Sequence, residues 1–353
     1  MSYLRIGLVY ETFETYRRCP GDPKDAHVEF EPEATIAALE AAIVHLGHRP
    51  VRLGSPTDLL ALISAGRSGE VEMEVDVVFN LCEGFAGRNR EAWAPVLLEM
   101  ADIPCIGSDA LTLSLSLDKA WANRWLADVG IPVAQQISIA SREAALQVKL
   151  PAAYPLFIKP RWEGTAKGIR PSSLVASRED LVREVERIVS DYNQPALVEA
   201  FIPGAEYTVT LIGNDPPHAL PVLQRALERE SGIGLHAVEG LEESVGDTSS
   251  GANRFEHETP GLLTPELESR LAELSIRAFD ALDCRDFARL DFRLDSSGEP
   301  VFLEINPLPT FAPDGSFGIL AELEGCSLDK MLGRCIQAGL IRLGLDGGSG
   351  SNE

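Results

Sequence analysis

The run LDFRLDSSGEPVFLEINPLPT, Leu290 to Thr310, limits the fold more than any other stretch of the chain. Two apolar, β-rich segments flank a Ser-Ser-Gly-Glu turn, the composition of a hairpin, yet the ribbon carries Asp291, Glu304 and Asn306. If Ser296 to Glu299 form the turn, Asp295 faces Pro300, and pairing outward sets Asp291 opposite Glu304 and Arg289 opposite Asn306. Side chains two apart on a strand share a face, so these four line one surface. Directly opposed Cβ atoms lie about 5 Å apart and like charges there are unfavourable. Something cationic therefore belongs between the acids. A hard divalent ion shared between carboxylates and substrate phosphates meets that need. So does a solvated sheet face on which Arg289 and Arg293 neutralise the acids, and one hairpin does not choose between the two.

The bulk properties narrow the field. A chain of 353 residues has room for two or three domains with buried cores. Its formal charge of -23, from 31 Lys plus Arg against 54 Asp plus Glu, repels polyanions and anionic membrane surfaces. The start MSYLRIGLVYETF lacks the basic, then apolar, then small-residue order of a signal peptide, and no window approaches 18 uncharged apolar residues. These features predict a cytoplasmic protein with neither nucleic acid nor membrane as a partner. Six dispersed cysteines without a C-x-x-C pair read as reduced thiols.

LRIGLVY (4 to 10) and VDVVFNL (75 to 81) read as strands buried on both faces. Between them EATIAALEAAIVHLG sets Ile36, Leu39, Ile43 and Leu46 on one helical face and stops at Gly47. With a helix in EAWAPVLLEMADI and a strand in IPCIGS, residues 1–107 are expected to form an open parallel α/β domain. Residues 108–195 are expected to be an α+β subdomain containing YPLFIKP, a glycine-bearing loop and the helix SREDLVREVERIVSDY. Residues 196–342 are expected to hold an antiparallel sheet of ALVEAFI, YTVTLIG, ARLDFRL and PVFLEIN, and 343–353 a flexible tail. The polar stretch from Arg225 to Thr259, with Arg229, His236, Arg254 and His257, is long for a connection and reads as a lid or substrate loop.

Lys159 ends YPLFIKP and Lys119 opens the helix of DKAWANRWL. Each alone is more often a surface lysine than a site residue. After Lys159, EGTAKGI offers Gly164 and Gly168, whose backbone freedom lets N–H groups converge on an anion, with Thr165 adding a hydroxyl. It is neither a Walker A loop nor a G-x-G-x-x-G, and an ordinary glycine turn has the same composition. Glu199 and Glu206 bracket the connection in ALVEAFIPGAEYTV, which fits an adenine and ribose site or simply a charged hairpin.

Taken in order, LSLDKAWANRWLADVGIPVA, YPLFIKPRWEGTAKGI, ALVEAFIPGAEYTV and ARLDFRLDSSGEPVFLEINPLPT resemble the ATP-grasp fold of the D-alanine:D-alanine ligase family, from about Val77 to Leu332. The resemblance implies two α+β subdomains clasping ATP after the N-terminal α/β domain. It implies that Lys119 and Lys159 bind ATP phosphates and that Gly164, Thr165 and Gly168 cover them, with Ala166 where the family usually has serine. Glu199 and the backbone from Ala200 to Ile202 match the adenine clamp, and Glu206 the ribose carboxylate. Asp291, Glu304 and Asn306 match ligands of one or two Mg²⁺ ions, for which Mn²⁺ substitutes. Arg289 matches the arginine that steadies the developing oxyanion. The implied protein is a homodimer that joins a carboxylate to an amine through an acyl phosphate.

The substrate half departs from the family. Its N-terminal glycine-rich signature is absent, and LVYETFETYRRCPGD offers Glu11 or Glu14 instead. Glu83 stands where the family has histidine, placed to hold a substrate amine or to pair with Arg88 or Arg90. Ser316 falls near the serine that receives the second substrate's carboxylate. These departures point to a ligase with a different amino-acid or amino-acid-like substrate. A non-catalytic nucleotide sensor, a carboxylate kinase without an amine acceptor, and a D-alanine:D-alanine ligase itself are the alternatives.

Overall fold

The computed structural model describes residues 3–68, 74–85, 87–225, 227, 257–258 and 263–346. In chain order the first unit is β1 (Arg5–Val9), α1 (Glu33–His45), β2 (Arg49–Gly54), α2 (Pro56–Ser68), β3 (Val77–Asn80), α3 (Trp93–Met100) and β4 (Cys105–Ile106). The strands form a parallel sheet in the order β2-β1-β3-β4. Ile6, Leu8 and Val9 are fully buried because helices cover both faces. Helix α1 buries Ile36, Leu39, Ala42 and Ile43 and stops where Gly47 takes φ +82°.

The middle unit contains α4 (Ala110–Leu117), α5 (Lys119–Asp128), β5 (Gln136–Ile139), α6 (Arg142–Gln147), β6 (Leu156–Pro160), β7 (Leu174–Val175), α7 (Arg178–Tyr192) and β8 (Ala196–Ala200). Its antiparallel sheet runs β5-β8-β6-β7. Helix α7 covers one face through Leu181, Val185 and Ile188. Ser177 caps its start, and Asn193 ends it at φ +50°. The strand in ALVEAFI therefore belongs to the middle sheet, not to the last one, and the boundary expected after residue 195 falls inside this unit. Its alternation alone could not say which sheet it joins.

The last unit holds β9 (Glu206–Ile212), β10 (His218–Ala219), β11 (Leu223–Arg225), β12 (His257–Glu258), α8 (Pro265–Ala281), β13 (Phe287–Leu294), β14 (Pro300–Asn306), α9 (Ser316–Leu323) and α10 (Leu328–Arg342). The sheet order is β12-β11-β9-β13-β14, with β10 also on β9. Helix α8 packs Leu271, Leu274 and Ala278 against Val209, Leu290 and Phe292. In the hairpin, Asp291 pairs with Glu304 and Arg289 with Asn306, as the counting from the turn predicts. Nearer the turn the register is one residue off that count, since Leu294 rather than Asp295 pairs with Pro300. An irregularity between Asp291 and Phe292 leaves Leu303 as an extra residue on β14 and restores the pairing.

The first and last units share one core. Phe79 of β3 stacks on Phe287 of β13 at 5.5 Å, and Phe311 packs edge-on to both. Helix α10 lies against α1, and Leu343 and Leu345 pack back onto the same core, so the expected tail begins later than residue 343. Asp286, fully buried, fastens this junction. Its carboxylate accepts two bonds from Arg342 at 2.7 Å, one from Gly107 N–H at 2.8 Å and one from Asn214 at 3.1 Å. Among the described residues no helix is long and apolar enough to cross a membrane. Removing one partner of a buried ion pair typically costs about 3–5 kcal/mol. Asp286→Ala is therefore expected to lower the unfolding free energy by about that much in chemical denaturation, and an unchanged midpoint would show that the junction does not depend on it.

Candidate active site

A cleft of about 1180 Å³, counting its open mouth, lies where the ends of β6 and β8 face β13 and β14. Lys159, the fourth residue of β6, reaches Glu199 on the adjacent β8 at 2.8 Å. Lys119, the first residue of α5, places its ammonium 3.3 Å from Glu304. Arg289 lies 3.4 Å from Asp291, which also accepts a 2.6 Å bond from Thr208. Burial pushes the Glu304 carboxyl up, but Lys119, Lys159 and Arg289 overcome it and hold it at about 2. The opposed acids are thus ringed by cations drawn from three different elements.

One end of the cleft is apolar. Phe157, Ala134, Ile169, Phe201 and Leu303 line it together with Ala200 and Ile202. Leu303 reaches the same cleft as its neighbour Glu304, and the bulge explains how two consecutive residues do so. Glu206 sits beside Arg225 and Arg293, each 3.9 Å away. Burial raises its carboxyl, partly offset by Arg225. Leu303, Phe157 and Thr208 carry no sequence signal beyond strand alternation. Arg225, expected in the lid, closes β11 and faces Asp291 at 3.9 Å.

The glycine loop leans on the first unit. Gly164 N–H donates to Glu29 at 2.6 Å, Lys167 pairs with Glu29 at 2.8 Å, and Gly168 N–H donates to Asp25 at 2.9 Å. Thr165 and Ala166 hold φ of +48° and +56° beside Gly168 at +80°. For residues with a Cβ that conformation is strained, and such strain concentrates at functional loops. Arg90, 2 % exposed, pairs with the same Glu29 at 2.6 Å. Burial pushes Glu29 up, but Arg90 and Lys167 hold it at about 2. Nothing in the spacing of the chain joins residue 29 to residue 164.

A second compartment of about 470 Å³ adjoins the cleft and is lined by Glu83, Glu91, Ser116, Lys119, Arg289 and Asn306, among others. The pairing of Glu83 with Arg88 or Arg90 does not occur. Arg88 goes to Asp118 at 3.3 Å, and Arg90 to Glu29 and to Trp162 O at 2.7 Å. Among the described residues Glu83 has no hydrogen-bond or ion-pair partner. Burial and the neighbouring Glu29 and Glu91 push Glu83 well above the usual carboxylate range, and burial lifts Glu91 to about 7 against the pull of Arg90. Glu11 is committed to Cys82 and Gly84 N–H, at 3.0 and 3.1 Å. Ser316 opens α9, is buried, and lines neither compartment. Arg229, His236 and Arg254 lie outside the described residues, and His257 is in β12.

Asp291, Glu304 and Asn306 offer oxygen atoms as metal donors, and the Asn306 amide nitrogen is buried with no hydrogen-bond partner among the described residues. Among the described residues no three His, Cys, Asp or Glu side chains cluster as a metal cage. Two carboxylates and an amide suit an ion that completes its shell with phosphate and water.

Comparison with known proteins agrees with this architecture. Residues 125–337 match the family model described as D-ala D-ala ligase C-terminus. The chain is 31% identical to the uncharacterized protein y4sG of Sinorhizobium fredii over 304 residues, covering 85% of this chain and 86% of that one. It is 27% identical to a D-alanine--D-alanine ligase of Pelotomaculum thermopropionicum, covering 78% and 83%. The fold superposes on the VanG D-Ala:D-Ser ligase of Enterococcus faecalis with TM-score 0.70 at 20% identity, covering 96% of this chain and 100% of that one. With a D-alanine--D-alanine ligase of Bacillus anthracis complexed with ATP the TM-score is 0.68 at 20% identity, covering 98% and 100%. The chain belongs to the D-alanine–D-alanine ligase family and has its ATP-grasp fold.

Proposed function

We propose that the protein is an ATP- and Mg²⁺-dependent ligase that forms an amide bond between a carboxylate and the amine of an amino-acid or amino-acid-like substrate. The observation that carries this is the ionised Glu304, set opposite Asp291 and surrounded by Lys119, Lys159 and Arg289. In this reading Lys119 and Lys159 take the ATP phosphates under Gly164, Thr165 and Gly168. Glu199 and the backbone from Ala200 to Ile202 take adenine, and Glu206 takes the ribose hydroxyls. Asp291, Glu304 and Asn306 would hold one or two Mg²⁺ ions, or Mn²⁺ in their place. When bound, the metal supplies neutralising charge for the phosphoryl oxygens.

A substrate carboxylate attacks the γ-phosphorus of ATP, the bond to the β-phosphate breaks and ADP leaves, giving an acyl phosphate; a neutral amine then adds to the acyl carbon, and phosphate leaves as the nitrogen gives up its proton. Arg289 donates to the oxyanion of that second step. Glu83 and Glu91 line the adjoining compartment; Glu91 supplies the charge for an ammonium group, and Glu83, whose carboxyl burial pushes up, supplies oxygen acceptors beside it. The VanG D-Ala:D-Ser ligase is a structural neighbour named for a substrate pair other than two D-alanines. With Glu83 in place of the family's histidine, the substrate proposed here also differs from a pair of D-alanines. Ser316 has no role in this proposal. A homodimer acting in the cytoplasm, without nucleic-acid or membrane partners, is part of the same reading.

Phosphate release from ATP, measured across pairs of amino acids and carboxylic acids, is expected only when two substrates are present together. ADP binding with no turnover for any pair would favour a sensor. Glu304→Gln is expected to cut turnover by at least about 100-fold, as loss of a transition-state charge contact does, with circular dichroism unchanged. Near-normal turnover would remove the metal assignment.

The pH dependence has a definite sign. Glu91 is raised to about 7, so it is mostly neutral at pH 6 and mostly anionic at pH 8. An ammonium substrate should therefore bind more tightly as pH rises, with KM falling by about tenfold over that interval. Glu91→Gln should flatten the profile, and a KM that rises with pH would contradict the ammonium seat.

A further inference from the structure

Asp118 is the residue before Lys119 and is fully buried. Its carboxylate caps α5, accepting from Trp121 N–H at 3.3 Å. It also accepts a two-pronged contact from Arg161, through Nε at 2.7 Å and Nη2 at 2.8 Å, and a bond from Trp162 Nε1 at 3.1 Å. Arg161 follows β6 two residues after Lys159, and Trp162 begins the glycine loop. The backbone repeats the link, since Lys119 N–H donates to Arg161 O at 3.3 Å. Arg88 completes the node from the first unit. Its guanidinium lies 3.3 Å from Asp118, 4.8 Å from the Trp121 ring centre and 5.7 Å from that of Trp162.

We infer that Asp118 is a positioning residue for phosphate binding, one carboxylate that sets Lys119, Lys159 and the root of the glycine loop at a fixed spacing. The three parts sit on separate elements, α5, β6 and a loop, and this node is where all three meet. A bidentate arginine–carboxylate contact fixes orientation as well as distance. Two lysines held at fixed separation bind a polyphosphate without first having to be ordered around it. Arg88 ties the same node to the segment bearing Glu83 and Glu91. Asp118 touches neither nucleotide nor substrate in this scheme and acts only through the lysines and the loop.

This rests on the nucleotide reading of the cleft, and the test separates the two. Calorimetric affinities for adenosine and for ADP with Mg²⁺ are compared in the parent and in Asp118→Asn, which retains a good helix cap and loses the charge. The expected result is ADP affinity lower by about tenfold, the scale of one charge-assisted hydrogen bond, with adenosine affinity within twofold. Arg161→Gln, which leaves Asp118 in place, is expected to show the same selective loss and carries the test if Asp118→Asn does not fold. Equal losses for both ligands would mean a general structural role, and unchanged ADP affinity in a folded variant would mean no role; either overturns the inference. A parent protein that binds neither ligand would instead overturn the nucleotide reading itself.

Discussion

Two carboxylates face each other across a hairpin, and the rest of the site is organised around making that tolerable. Asp291 and Glu304 are register partners, a pairing that repels on its own. Lys119 from α5, Lys159 from β6 and Arg289 from β13 each contribute to holding Glu304 ionised. Lys159 and Arg289 come from strands of two different sheets, and Lys119 from a helix. The pairing of acids thus requires the middle and last units to close against each other, and the closure makes the cleft. Burial works against every one of these charges, so removing any one cation leaves an expensive remainder.

The first unit takes part in the same balance. Its residues Asp25 and Glu29 accept N–H groups of the glycine loop, and Arg90 holds Glu29 from behind. Glu83 and Glu91 then border the space beyond Arg289 and Asn306. The nucleotide end resembles its family in residue type and order. The proposed substrate end is lined by Glu83 on a loop and Glu91 in a short 3-10 turn of the first unit, where the family signature is missing.

How much was legible in the sequence follows from the range of the interactions. Helix α1 and helix α7 announce themselves because periodicity, a stop at Gly47 or a cap at Ser177 are local signals. The Asp291–Glu304 pairing was also readable, because a short turn fixes register by counting. The count at the turn was one residue off, and it reached the right acids only because the bulge at Leu303 compensates. Short strands such as β7 and β10, at two residues each, leave no pattern to read. The assignment of Ala196–Ala200 to the middle sheet, the clasp of Glu29 on Gly164 and the node at Asp118 are contacts between residues far apart in the chain. One sequence contains no record of which distant partners meet.

Everything proposed for catalysis depends on a divalent ion joining Asp291, Glu304 and Asn306 when nucleotide is bound. Crystals grown with ADP and Mn²⁺ measure this directly through anomalous scattering at the manganese edge. A peak between those three side chains is the expected result. Bound ADP with no peak there, the two acids remaining paired only with Lys119 and Arg289, would contradict it.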